Sequence, residues 1–139
     1  MAFIEPTHRL THRGVMEMLI AGIAKAEEIG QPQCIVIVDS SGEVLGEIRM
    51  TGSKFLSRRS ALAKALTSAS HGVASETIPE PVRPAIAAAT DGAVTGLPGG
   101  LPVTLGGTLV GGIGVGSGKP EQDLVVARAA LEAVGALPN

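Results

Sequence analysis

The chain has 139 residues, 45% hydrophobic and 17% charged, a balance that fits one folded domain with a single core and argues against disorder. Only Phe3 and Phe55 are aromatic, so Ala, Val, Ile, Leu and Met must build the interior, and no Tyr phenol is available as an acid. A net charge of −2, with no basic run longer than Arg58-Arg59, gives nucleic-acid binding little support, and a single cysteine, Cys34, excludes an intrachain disulfide.

The start of the chain, MAFIEPTHRL, lacks the apolar stretch of a signal peptide, and no apolar run reaches the ~18 residues of a membrane span, so a cytoplasmic protein is expected, with residues 1–9 flexible. Thr11 can cap a first helix carrying Val15, Met18, Leu19, Ile23 and Ala26 at helical spacing, and Gly30 and Pro32 end it. QCIVIVD (33–39) predicts a strand buried on both faces, which would place Cys34 in the interior, and VLGEIRM (44–50) predicts the strand that returns from the turn. A second helix follows Ser57, a candidate N-cap, with Ala61, Leu62, Ala65, Leu66 and Ala69 on one face and Gly72 as its stop. Residues 76–92 hold three prolines within six positions and predict an irregular connection with a short helix over 84–90.

Ten of the 19 glycines then fall between Gly96 and Gly118. LPVTL and TLVGGIGV are β-patterned, and Gly106-Gly107 between them suits a primed hairpin turn. The last helix opens with Pro120, has Glu121 and Asp123 in its first turn, and is predicted to bury Leu124, Val125, Leu131 and Val134 with Arg128. The order predicts an α+β fold with an antiparallel sheet. The glycines fit no phosphate signature: Ile113 stands where a Walker loop needs glycine, and neither Gly112-x-Gly114 nor Gly114-x-Gly116 continues as the dinucleotide pattern. Turns and close strand packing explain them, with the helix start behind Gly116-Ser117-Gly118 as a possible anion site through its N–H groups.

Several segments together resemble the GlcG/HbpS-like family, also described as haem-degrading and found as the C-terminal part of PduO-type proteins. These are IVIVDSSGEVLGEIRM, SALAKALTSA, PGGLPV, GTLVGGIGVGSG and PEQDLVVARAALEAV, in that order from about residue 10 to 137. The resemblance implies one domain over 1–139 with a profilin- or PAS-like sheet of about five strands flanked by helices in αββα(α)ββα order. It also implies homo-oligomers from dimer to octamer and, in some members, haem binding. Two departures stand out. Lys119 occupies the usual Ser or Thr cap position, where it cannot accept a backbone N–H bond, and residues 71–92 replace a more Arg- and Phe-rich stretch.

Three functions follow as expectations. The first is binding of haem or a related tetrapyrrole, with His71 on the iron and Arg49 and Lys64 meeting the propionates. The second is a cofactor-independent enzyme of tautomerase or hydrolase type acting on a small carboxylated catabolic intermediate, through His71, Arg49 and Glu76. The third is an oligomeric scaffold. In the binding readings an anionic small molecule meets Arg49, Lys64, His71, Gly99, Gly100, Gly116, Ser117, Gly118 and Lys119, with unpaired amides near 115–122 as the central feature. Each residue also has a plainer role: His71 can cap helix carbonyls, Arg49 can be a solvated strand end, and Lys64 can snorkel from a packed helix.

Overall fold

Eight elements alternate along the chain: α1 (His12–Glu28), β1 (Cys34–Asp39), β2 (Val44–Arg49), α2 (Ser57–His71), α3 (Arg83–Ala89), β3 (Gly100–Leu105), β4 (Thr108–Gly116) and α4 (Pro120–Ala133). The structure, a computed structural model, describes residues 1–137, so the last two positions of the expected domain lie outside it. The α+β order is the expected one. The sheet has four strands rather than about five, in the order β2-β1-β4-β3, with every neighbouring pair antiparallel. Each strand comes from one of the two hairpins, and the segment between them supplies two 3-10 turns and α3 instead of a fifth strand. Among the described residues no helix is long and apolar enough to cross a membrane.

The alternation of β1 and β4 divides the interior. Ile35, Ile37, Ile113 and Val115 point towards α1 and α4, where they join Met18, Val126 and Leu131 in the larger core. Ile35, Ile37 and Ile113 are fully buried, each contributing about 1.5–3 kcal/mol of transfer free energy. Cys34, Val36 and Val38 point the other way, onto Ala61, Ala65 and Ala69 of α2. On that side the second half of β4 presents only Gly112, Gly114 and Gly116, with Leu109 reached beyond them near the end of α2. A methyl group on Gly114 would overlap the Ala61 carbonyl oxygen, and one on Gly112 would lie 2.8 Å from the Ala69 nitrogen. The backbone of α2 therefore rests directly on the backbone of β4, which is what the glycines of β4 chiefly accomplish.

Local signals are obeyed with two exceptions. Thr11 caps α1 by accepting the Gly14 N–H at 3.1 Å, Gly72 ends α2 at φ +72°, and Gly106 and Gly107 make their turn at φ +57° and +78°. Ser57, however, is the first helical residue of α2 and not its cap. The preceding turn supplies acceptors instead, with the Ser57, Arg58 and Arg59 N–H groups donating to the carbonyls of Lys54, Phe55 and Leu56. The buried face of α4 is also rotated from expectation. Asp123, Val126, Ala127, Ala130 and Leu131 are buried, while Val125 and Arg128 face solvent. Small residues win because α1 crosses α4 closely: a methyl group on Gly22 would already touch Val126 at 3.6 Å and Ala130 at 4.0 Å.

Gly114→Ala should cost about 3 kcal/mol or more in urea unfolding, because backbone would have to move away from backbone. Gly14→Ala, whose methyl would make an ordinary 3.6 Å contact on α1, should leave stability unchanged or raise it by up to about 1 kcal/mol.

Candidate functional site around Lys64 and Asp123

Resting α2 on glycine carries Lys64 into the interior. A methyl group on Gly100 would overlap the Lys64 carbonyl oxygen, and one on Gly99, at φ +122°, would lie 3.0 Å from Lys64 Nζ and 2.6 Å from the Val115 carbonyl oxygen. The two glycines thus make room for the lysine. Lys64 Nζ donates to the Val115 carbonyl at 2.7 Å and to Asp123 Oδ2 at 3.1 Å, with the two side chains only 6% and 4% exposed. The other carboxylate oxygen of Asp123 accepts the Gly118 N–H at 3.0 Å. Lys64 is accordingly the inner half of a buried ion pair and does not snorkel. Burial pushes the Asp123 carboxyl above the ordinary carboxylate range, against the Lys64 charge, the hydrogen bonds from Lys64 and Gly118, and the nearby Gln33 side chain, all of which pull it down.

Around this pair lies a cleft of about 270 Å³, walled by Lys54, Ser57, Ser60, Leu97, Ser117 and Gly118 among others. Ser117 has φ +90°, unusual for a residue with a Cβ. Three contacts hold the segment: its hydroxyl oxygen accepts the Lys54 N–H at 2.9 Å, its carbonyl accepts Gln31 Nε2 at 2.9 Å, and the next N–H, of Gly118, goes to Asp123. Gln33 is fully buried beside the pair, and neither of its amide atoms has a partner in hydrogen-bond geometry, although the side chain lies near enough to Asp123 to favour the carboxylate.

The expected row of unpaired amides is not what the fold presents. Gly116 is paired across the sheet with Cys34, the Val115 N–H donates to the Gly99 carbonyl, and the Gly118 N–H is held by Asp123. The Lys119 N–H donates to Gln122 Oε1 at 2.8 Å, so half of a capping box survives while the lysine side chain, which has no acceptor, leaves the other half unmade. Ser117, Gly118 and Lys64 do come together in the cleft, with Gly99, Gly100 and Gly116 behind it and the exposed Lys119 at the helix start.

The remaining expected residues lie elsewhere. Arg49 is exposed at the end of β2, in register with Cys34 and, through it, Gly116. It borders a separate cleft of about 620 Å³ with Ile23, Ala26, Ile48 and Met50. His71 is exposed at the far end of α2, about 20 Å along a 15-residue helix from Ser57, which itself packs at Gly116. Glu76 is exposed on the first 3-10 turn, and its carbonyl accepts from Arg83 at 3.1 Å. The single chain therefore does not gather Arg49, Lys64 and His71 around one ligand. Cys34 is fully buried. Among the described residues no group of three or more His, Cys, Asp or Glu side chains is placed to hold a metal ion.

Asp123, Gln33 and Lys54 are the site residues that sequence reasoning passed over. Asp123 read as a first-turn acid favoured by the helix dipole, and nothing local linked it to a lysine 59 positions earlier.

Lys64→Met should destabilise the protein by about 3–5 kcal/mol, because it strands a buried carboxylate, and adding Asp123→Leu should restore most of that loss; chemical denaturation of both variants checks this. The folded Asp123 carboxyl lies above its unfolded value of about 3.9, so it binds a proton more readily folded than unfolded. Its contribution to stability is full below the unfolded value and is lost as pH rises through the folded one, so it opposes acid unfolding. A carbon-13 titration of this carboxyl should give a midpoint above about 3.9.

Comparison with known proteins agrees with this architecture. Residues 10–132 match the family model of the haem-degrading, HbpS-like proteins. The chain is 30% identical over 135 residues to the corrinoid adenosyltransferase PduO of Citrobacter freundii, and 27% over 130 residues to that of Salmonella typhimurium. These alignments take in 94% and 90% of this chain but only 40% and 39% of the relatives' length. Among solved structures, the Klebsiella pneumoniae protein ORFY superposes with a TM-score of 0.92 at 27% identity, covering 99% of both chains. A PduOC:heme complex superposes at 0.84 with 26% identity, covering 91% of this chain and 95% of the other. Streptomyces reticuli HbpS, crystallised as a double mutant, also superposes at 0.84, with 28% identity and coverage of 95% and 91%. The chain belongs to the HbpS-like family of haem-degrading proteins.

Proposed function

We propose that this protein binds a tetrapyrrole, with haem as the ligand to test first. The observation that carries the reading is the likeness to the PduOC:heme complex, at 26% identity over 91% of this chain. One residue is chemically prepared for such a ligand. His71 Nδ1 lies 3.1 Å from the Thr67 carbonyl oxygen, and a carbonyl can only accept, so the ring proton sits on Nδ1. The lone pair of the neutral ring is then on Nε2, the form in which histidine binds iron, with its other nitrogen fixed by a backbone acceptor.

His71 directly follows Ser70, which with Leu66, Ala69, Val94 and Leu109 lines a groove of about 510 Å³; His71 stands just outside that lining. Aliphatic walls suit a macrocycle even without stacking rings. Bound haem would supply an iron centre, and the chain's part would be to ligate it through Nε2 and to shield one face. Arg49 and Lys64 do not belong to that neighbourhood: one is at the opposite end of the sheet and the other is spent on Asp123. The propionates of a ligand at His71 would therefore meet water or a second copy. Homo-oligomerisation remains part of the reading, supported by exposed apolar side chains on α1 (Met16, Ile20) and β2 (Val44, Leu45, Ile48).

The enzyme reading has less support, because its general-base candidate His71 and its carboxylate clamp Arg49 lie at opposite ends of the sheet.

Titration of the protein with haemin should shift and sharpen the Soret band with a saturable endpoint. His71→Ala should weaken binding at least about tenfold, equivalent to about 1.4 kcal/mol, while leaving the far-UV circular dichroism unchanged. An unaltered spectrum with the wild-type chain would remove the proposal.

A further inference from the structure

The cleft over the Lys64–Asp123 pair has features that neither structural stability nor tetrapyrrole binding requires. Two helices begin at its walls: Ser57 and Ser60 belong to the first turn of α2, and Pro120 and Asp123 to the first turn of α4. Both helices therefore begin at the same small space, with the first N–H groups of α2 already taken by the carbonyls of Lys54, Phe55 and Leu56. Two lysines share it. Lys54 is exposed and has no carboxylate within 4.0 Å among the described residues. Lys64, which also lines the cleft, carries three N–H donors on Nζ, of which Val115 and Asp123 take two and one has no protein acceptor. Asp123 is the one acid lining the cleft, and both its oxygens are engaged by Lys64 and Gly118.

An independent observation comes from behind the Gly118 wall. The space a methyl group on Gly118 would fill is bounded by Gln33 Nε2 at 2.7 Å and Asp123 Oδ1 at 2.9 Å. Gln33 is fully buried there, with neither amide atom in hydrogen-bond geometry, although its side chain lies near enough to Asp123 to favour the carboxylate. Gly118 also keeps this wall open, since any side chain there would press on the amide. Ser117, held at φ +90° by Lys54 and Gln31, brings its own backbone to the rim in a conformation that costs free energy without adding to the core.

We propose that this cleft binds the oxyanion group of a small metabolite, a phosphate or a carboxylate, between the Lys54 ammonium and the unspent Lys64 proton. The Ser57 hydroxyl supplies a neutral donor at the α2 end, that of Ser60 being given to the Ser57 carbonyl at 3.1 Å, and the exposed Leu97 forms an apolar lip for the rest of the molecule. A volume of about 270 Å³ admits a compound of a few carbons and excludes a macrocycle, so this site is separate from the one proposed for the tetrapyrrole. The amides of Gly118 and Lys119 take no part, because Asp123 and Gln122 already hold them.

The test is a nitrogen-15 amide titration of the full, haem-free chain at constant ionic strength, with inorganic phosphate in one arm and pyruvate in the other. Saturable shifts at Ser57, Ser60, Ser117 and Gly118, within about 20 mM of either probe, are expected, and the arm that saturates first identifies the oxyanion. Lys54→Ala, a change at an exposed side chain, should weaken that binding about tenfold while the unliganded spectrum stays as in the wild type. The proposal is overturned if neither probe gives saturable shifts at those amides, or if Lys54→Ala binds as tightly as the wild type. Haemin binding is read separately from the Soret band, so failure of one proposal leaves the other standing.

Discussion

The structure depends on a stretch of β4 that has no side chains on one face. Because Gly112, Gly114 and Gly116 present only backbone, α2 packs against β4 at a distance no other residue type would permit. The alanines Ala61, Ala65 and Ala69 follow from the same constraint, since larger residues would hold the helix off the sheet. That side of the sheet gains little apolar area from such small groups, and the bulk of the hydrophobic stabilisation comes from the opposite face, where Ile35, Ile37, Ile113, Met18 and Leu131 are enclosed by α1 and α4. The two faces thus divide the work: one holds the fold together, and the other sets a helix at fixed height.

Fixed height matters because it determines where Lys64 ends. A lysine on an exposed helix would extend its ammonium into water. Here the α2 backbone is pressed down, its Lys64 carbonyl abuts Gly100, and the side chain is directed past Gly99 to the end of β4. At that end the chain leaves the sheet at Gly116, reverses through Ser117 and starts α4, so the Val115 carbonyl and the Asp123 carboxylate converge on the ammonium. Elements distant in sequence are tied there by charge, and desolvating those charges consumes free energy that apolar packing would not. A fold that accepts this cost next to an unpartnered Gln33 and a left-handed serine concentrates its departures from minimum free energy in one place.

What the sequence disclosed follows the range of the interaction concerned. Thr11, Gly72 and the pair Gly106-Gly107 act within a few residues, so their roles are legible in isolation. The continuous apolar run CIVIV within QCIVIVD reveals a doubly covered strand because burial on both faces leaves no polar position between its ends. The glycines of β4 announce close packing, yet only the fold identifies α2 as the neighbour and so explains the lysine in ALAKAL. Asp123 was concealed for the same reason: a first-turn acid is fully accounted for by the helix dipole, and its partner lies 59 residues away. The rotated face of α4 has the related cause that Ala127 and Ala130 outrank Leu124 and Val125 once Gly22 lets α1 approach. Size, not hydrophobicity, chose that face.

The separation of Arg49 from His71 completes the picture. As strings of residues, a strand-end arginine and a helix-end histidine look equally available to one ligand. Antiparallel packing sends them apart: α2 starts beside Gly116, where β1 and β2 place Arg49, and runs the length of β4 before His71 is reached. At one end stands His71, on the helix whose Leu66, Ala69 and Ser70 line an aliphatic groove. At the other end Lys54, Lys64 and two helix starts surround a cleft of about 270 Å³. Chemical likeness among residues in a sequence is therefore a weaker guide to shared function than the end of the sheet at which each one emerges.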